Sequence, residues 1–201
     1  MSGDGAVPAL EYGYRPSLIG APYEFRASEY GLDWNTGGKS GRIAWRDVRH
    51  VRMSYRPTSM QPHRFVTEIW AEGAPTLTLM STSWKSMVVR ERLDASYTAF
   101  IVELHRQLAR TQSRALFEQG TNPLRYWPGL TVYVAVSLML AALVARGLQA
   151  HALGGTLFVA AFLALFLWRG GDYFRRNRPR FYRADKVPEE LLPKGSIAAI
   201  S

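Results

Sequence analysis

Gly37, Gly38, Lys39 and Ser40 form the run that most tempts a phosphate-loop assignment, because backbone N–H groups in such a turn can wrap a phosphate. The full motif needs a glycine five residues before Gly38, where Asp33 stands, and a helix afterwards, where a strand-like alternation follows. A glycine-rich strand connection is therefore expected. His50, His63, His105 and His151 are scattered, without partners at the three- or four-residue spacing of helical metal sites. His105 falls beside an apolar stripe and reads as a half-buried edge residue. No Gly-x-Ser-x-Gly elbow raises a serine nucleophile, and adjacent carboxylates occur only at Glu189 and Glu190, in a polar tail. The absence of cysteine excludes thiol catalysis, disulfide scaffolding and Cys-ligated zinc or iron–sulfur chemistry. No catalytic, cofactor-binding or metal-ligating residue is assigned, no cofactor is implied, and a non-enzymatic protein is expected.

Charge and hydropathy carry the stronger signal. The 201 residues hold 25 Lys and Arg against 16 Asp and Glu, a net charge of +9. Residues 127–168 contain a single charged side chain, Arg146, so one soluble domain is ruled out. WPGLTVYVAVSLMLAALVA, Trp127 to Ala145, is long enough as a helix for about 28 Å, close to the hydrocarbon thickness of a bilayer. GLQAHALGGTLFVAAFLALFLW follows Arg146 and stops at Arg169. Its nine Leu, Val and Phe from Leu153 to Leu167 favour insertion by about 3 to 5 kcal/mol. Spans over 127–148 and 152–168 are expected, antiparallel because the polar break between them is so short.

Small residues recur every fourth position, at Ser137, Ala141 and Ala145 and at Ala152, Thr156, Ala160 and Ala164. Such stripes let helices approach in lipid, either each other or those of another copy or subunit, so a homo-oligomer stays open. Lys and Arg cluster on the outer flanks, which predicts a two-pass inner-membrane protein with both termini cytoplasmic. Tyr126, Trp127 and Trp168 are expected in the interfacial belt.

Residues 1–20, rich in Gly, Pro, Ala and Ser, read as a flexible lead. Period-two runs follow at Tyr23/Phe25/Ala27, Leu32/Trp34, Ile43/Trp45, Val51/Met53/Tyr55, Phe65/Thr67/Ile69 and Leu77/Leu79, predicting an antiparallel meander. From about Ser86 to Arg110, Val89, Leu93, Tyr97, Phe100, Ile101, Leu104 and Leu108 form one helical stripe. YEFRASEYGLDWNTGGKSGRIAWRDVRHVRMSY, above all GLDW and GRIAWRDVRHV, resembles the bacterial PH-like (pleckstrin-homology-like) domain over about residues 20 to 112. The whole chain is similar to membrane proteins of alphaproteobacteria. The resemblance implies an α+β fold, with a PH-like antiparallel β-barrel or sheet capped by one C-terminal helix at 21–112, and a scaffold or binding role. A connector at 113–126, the hairpin at 127–168 and a basic tail at 169–201 would follow.

Two basic sets are candidate binding surfaces. Arg169, Arg175, Arg176, Arg178, Arg180, Arg183 and Lys186 set topology and could also hold anionic lipid headgroups. Lys39, Arg42, Arg46, Arg49 and Arg52 are the candidates on the PH-like domain, alternatively a solvated strand face. Nucleic acid is not an expected partner, because aromatic residues beside a span belong to the interface. KVPEELLPKG is either a docking peptide or an end packed on the sheet domain. Membrane lipids and a protein partner are expected, the alternative being an accessory subunit of a membrane enzyme or transporter.

Overall fold

The computed structural model describes residues 9–57, 64–84 and 90–193; His63 and Val89 lie outside them. The architecture is α+β and divides into two units. One combines the chain up to Gln119 with the chain from Arg180 onward, and the other is Gly120–Pro179.

The first unit begins with β1 (Leu10–Tyr14), β2 (Tyr23–Ser28), β3 (Gly31–Thr36) and β4 (Ser40–Ile43), an antiparallel sheet in that order. Alternation along each strand sends Tyr12, Tyr14, Phe25, Ala27, Leu32, Trp34 and Ile43 into the core. On the opposite face the register aligns Glu11, Arg26, Asp33 and Arg42 in one cross-strand row of alternating charge. Gly31 has no substitute at its turn, because a Cβ there would lie 2.3 Å from the Ile43 carbonyl oxygen.

A 3-10 turn at Trp45–Asp47 buries Trp45, whose indole N–H donates to the Ser28 carbonyl at 2.9 Å. β5 (Val48–Tyr55), β6 (Phe65–Ala71) and β7 (Leu77–Met80) form the next antiparallel group. The Tyr12 and Tyr14 hydroxyls donate to the Met80 and Thr78 carbonyls of β7, so β1 is tied to the second sheet by side chains rather than by a ladder. β8 (Thr82–Trp84) pairs with β9 (Arg90–Arg92), and α1 (Asp94–Arg110) then lays Tyr97, Phe100, Ile101, Leu104 and Leu108 on the core. Tyr97 and Thr67 share a buried hydroxyl–hydroxyl hydrogen bond of 2.7 Å.

The chain then adds β10 (Leu116–Gln119), parallel to β5, and β11 (Arg180–Phe181), antiparallel to β10. The five-stranded order is β11-β10-β5-β6-β7. A second 3-10 turn at Glu189–Leu191 places Leu191 and Leu192 in the core.

Five expectations are corrected here. Leu10–Tyr14 is a core strand rather than part of a flexible lead, since Tyr12 and Tyr14 supply two large aromatic faces. The helix starts at Asp94, because Arg90–Arg92 is drawn into a strand by β8. The strands form four-, five- and two-stranded sheets, and among the described residues they do not close into a barrel. The meander is also not wholly antiparallel, as the crossover through α1 returns β10 parallel to β5. From Arg180 to Leu192, the stretch expected to be a basic tail belongs to the sheet domain.

The second unit is a helical hairpin of α2 (Pro123–Gln149) and α3 (Leu153–Arg176). Asn122 caps α2 by accepting from the Leu124 N–H at 3.0 Å, and Pro123 occupies the first turn, where its missing N–H costs nothing. The tip turns through Ala150, His151 and Ala152.

Candidate membrane anchor, junction and charged surfaces

At 27 and 24 residues, α2 and α3 measure about 40 and 36 Å, so each exceeds the hydrocarbon core with a turn or more to spare. Their most apolar stretches are unburied in α2 and 6% buried in α3, leaving Leu138, Leu143, Leu157, Phe158, Phe162 and Leu165 exposed. A soluble core helix would hide these side chains; here only a lipid-like solvent or other helices could cover them.

The two helices meet through aromatics packed against glycine. Tyr133 donates from its hydroxyl to the Leu167 carbonyl at 3.0 Å and packs its ring on Phe166 and Phe174, with centroids 5.1 and 5.0 Å away. Gly170 permits this, because a Cβ there would stand 2.2 Å from the Tyr133 ring. Tyr126 packs edge-on to Phe174 and is buried, while Trp127 and Trp168 are exposed. At the tip, Gly147 leaves room for Thr156.

Of the small-residue positions, Ser137, Thr156 and Ala160 lie at least partly covered, whereas Ala141, Ala145, Ala152 and Ala164 are exposed. The reason is rotational. A strict four-residue stripe advances about 40° per step around a helix with 3.6 residues per turn, so it winds off a face that two packed helices share.

The junction between the units is built from the first unit's own residues. Gln119 and Arg180, the last residue before the hairpin and the first after it, are register partners in β10 and β11. Behind them His105 is 1% exposed, not half-buried as its place beside the stripe suggests. Its Nδ1–H donates to the Ile101 carbonyl at 2.7 Å, which leaves Nε2 to accept from the Tyr182 hydroxyl at 2.9 Å. Phe117 and Tyr182 flank the imidazole, each ring centroid 5.7 Å from it, and thus cover what sequence left open.

Burial drops the His105 pKa from 6.5 to about 4. The unfolded chain binds a proton near pH 6.5 that the folded domain refuses until about pH 4. Stability present above pH 6.5 is therefore lost progressively on acidification, by about 3 kcal/mol at pH 4. Urea unfolding at stepped pH should show this slope in the native protein and a shallower one in His105→Gln; equal slopes would contradict it.

The basic candidates on the sheet domain are distributed and largely neutralised. Arg42 pairs with Asp33 at 2.5 Å, Arg46 with Asp47 at 3.8 Å, and Arg49 with Glu72. Arg52 lies 2.5 Å from Glu118 and 5.4 Å above the Trp70 ring. Lys39 alone of the five makes no ion pair among the described residues, and it stands in the loop between β3 and β4. Next to Arg52, His50 stacks on Trp70 at 4.7 Å with Nε2 3.1 Å from Glu118; partial burial holds its pKa below the ordinary histidine value.

Among the residues after the second span, Arg169, Arg175 and Arg176 belong to α3, and Asp172 engages both Arg175 and Arg176 at 3.4 and 2.9 Å. Arg183 pairs with Asp185 at 3.3 Å. Arg169, Arg178, Arg180 and Lys186 make no ion pair among the described residues and are exposed.

Histidines and carboxylates form no metal-holding group among the described residues; His151 is exposed at the hairpin tip. The Gly37–Gly38 turn connects two strands, as its surroundings predict. Comparison of the chain with family models, curated proteins and solved structures finds no match. Sequence reasoning missed Tyr133, Gly170 and Phe174 as the hairpin contact. The Gly170–Gly171 pair directly after Trp168 was the available signal.

Proposed function

We propose that this is a two-pass membrane protein that holds a PH-like, non-enzymatic binding or scaffold domain at the cytoplasmic face of the inner membrane, where it contacts protein partners or anionic lipid. The observation that carries the reading is the pairing of Gln119 with Arg180 across an inserted hairpin of two exposed apolar helices. Strand partners sit about 5 Å apart, so both helix feet start from one spot and the chain must cross a bilayer an even number of times. The basic flanks then favour the cytoplasm for that side. The PH-like assignment draws support from the consecutive antiparallel strands β1 to β4 and β5 to β7, followed by a helix on the core. The role in contact rather than catalysis draws support from strand-face charges that pair with one another, such as Arg42 with Asp33, Arg49 with Glu72 and Arg52 with Glu118.

Alkaline carbonate extraction tests the reading. The full chain should stay in the membrane pellet, since two buried apolar helices are not displaced by stripping charge contacts. Release into the supernatant would overturn it.

A further inference from the structure

Three of the four outer strands of the two large sheets are engaged or too short to receive another strand. Along β7 the Tyr12 and Tyr14 hydroxyls take the Met80 and Thr78 carbonyls. β1 runs on into Arg15, whose N–H donates to the Ser83 hydroxyl at 2.9 Å and whose carbonyl accepts from the Trp84 N–H at 3.1 Å. β11 has two residues. β4 pairs with β3 on one side, and among the described residues no backbone group bonds to its other side.

The turn before β4 fixes which of its groups face outward. The Thr36 N–H donates to the Lys39 carbonyl at 2.8 Å, so these two form a hydrogen-bonded pair and the ladder alternates from there. Gly41 and Ile43, opposite Trp34 and Leu32, direct their backbone groups to β3, while Ser40 and Arg42 direct theirs to the open side. Ser40, Gly41 and Arg42 are all exposed. Cations on an edge commonly repel a second strand, but Arg42 is held within its own sheet by Asp33, at 2.5 Å from Nε and 3.1 Å from Nη2. On the core side Gly41 is covered by Trp34, whose ring would stand 3.0 Å from a Cβ there.

We propose that β4 pairs antiparallel with β4 of a second copy of this chain, about a two-fold axis at Gly41, joining two four-stranded sheets into one. The symmetry of the edge selects this occupant. Its outward-facing residues lie one on each side of Gly41, so a two-fold axis there sets Ser40 against Arg42 of the second copy, twice over. Each such pair exchanges both N–H···O bonds, giving four backbone hydrogen bonds. Glycine then meets glycine at the centre, and each Arg42 lies beside a serine, so neither bulk nor like charge is opposed. An unrelated strand would need no such palindrome. The inference goes beyond the membrane reading, because all of its residues lie in the first unit.

The native chain lacks cysteine, so a disulfide can read the register. Full-length Ser40→Cys and Arg42→Cys, carrying different tags, would be co-expressed and oxidised in whole cells with copper phenanthroline. Opposed residues of a hydrogen-bonded pair stand about 5.5 Å apart at Cα, within disulfide reach, whereas the two copies of position 40, or of 42, stand about 8 Å apart. The heterodisulfide should therefore exceed both homodisulfides. Equal yields, which mark random collision, or no heterodisulfide would overturn the proposal. Ser40→Pro supplies a measurement that does not depend on Arg42→Cys folding without its Asp33 partner. It removes one outward N–H per copy and leaves the β3 ladder whole. Two backbone hydrogen bonds per dimer are lost, each worth about a factor of five, so association should weaken by about 30-fold. Energy transfer between full-length chains labelled at Ser17→Cys, diluted with lipid in phosphatidylcholine vesicles, reads this as a midpoint shifted to higher protein density. A midpoint unmoved by Ser40→Pro, as for copies held through their helices alone, would overturn the proposal too.

Discussion

Replacing Gly120–Pro179 with Asn-Gly is expected to turn a membrane-bound protein into a soluble one that still folds. Gln119 and Arg180 are antiparallel register partners, so the cut ends already stand where a two-residue hairpin turn begins and ends. Asn-Gly suits that turn because both residues tolerate positive φ. The core of the sheet domain draws on residues before Gln119 and after Arg180, including Phe25, Leu32, Met53, Phe100, Leu104 and Leu191, and the excision removes none of them. The shortened protein should stay in the supernatant after high-speed centrifugation without detergent and melt in one cooperative step. A soluble product without cooperative melting would show that the hairpin is part of the domain's stability.

Leu191→Ala and Leu192→Ala should each cost about 2 to 5 kcal/mol, as large-to-small changes in a packed core do. Leu191 is 1% exposed and Leu192 4%, both within the main core cluster, even though they follow the hairpin by more than a dozen residues. Leu116→Ala, on the outer face, should stay within about 0.5 kcal/mol. Denaturant unfolding of the hairpin-deleted form, followed by tryptophan fluorescence, measures all three. Equal midpoints for the three variants would mean that the chain after the hairpin is not part of the core.

Much of this architecture was legible in the sequence where a run was long enough to show its period. Phe25 with Ala27 and Val51 with Met53 announce strands, Tyr97 to Leu108 announces a helix, and the uncharged stretches announce α2 and α3. Elements that depend on distant partners were not legible. β10 and β11 have four and two residues, too few for a period, and their pairing joins Glu118 to Phe181 across the entire hairpin. The burial of His105 follows from that pairing, because Phe117 and Tyr182 arrive from the two sides of the insertion. β1 was obscured by its neighbours: Gly13 stands between the two buried tyrosines, and a Ser-, Gly- and Pro-containing loop follows, so composition outweighed alternation. In the hairpin, a small-residue stripe was a poorer guide than one glycine facing one tyrosine, since contact is set by which side chain needs the space.

The candidate binding sets divide for an electrostatic reason that a list of arginines cannot display. Cross-strand register places a carboxylate opposite Arg42 and another opposite Arg52; an exposed pair such as Arg42–Asp33 holds about 0.2 to 1 kcal/mol, and the Arg52–Glu118 pair is half-buried. Those cations are therefore less available to a ligand than their number suggests. Arg114, Arg178 and Arg180, near the feet of the hairpin, keep theirs.

Single-cysteine accessibility in sealed inner-membrane vesicles of known orientation tests the central claim most directly, using Ser17→Cys, Gln149→Cys and Asp185→Cys with a membrane-impermeant maleimide. The account predicts that positions 17 and 185 label from the cytoplasmic face and position 149 only from the other. Labelling of 17 and 185 from opposite faces, or of all three from one face, would contradict it.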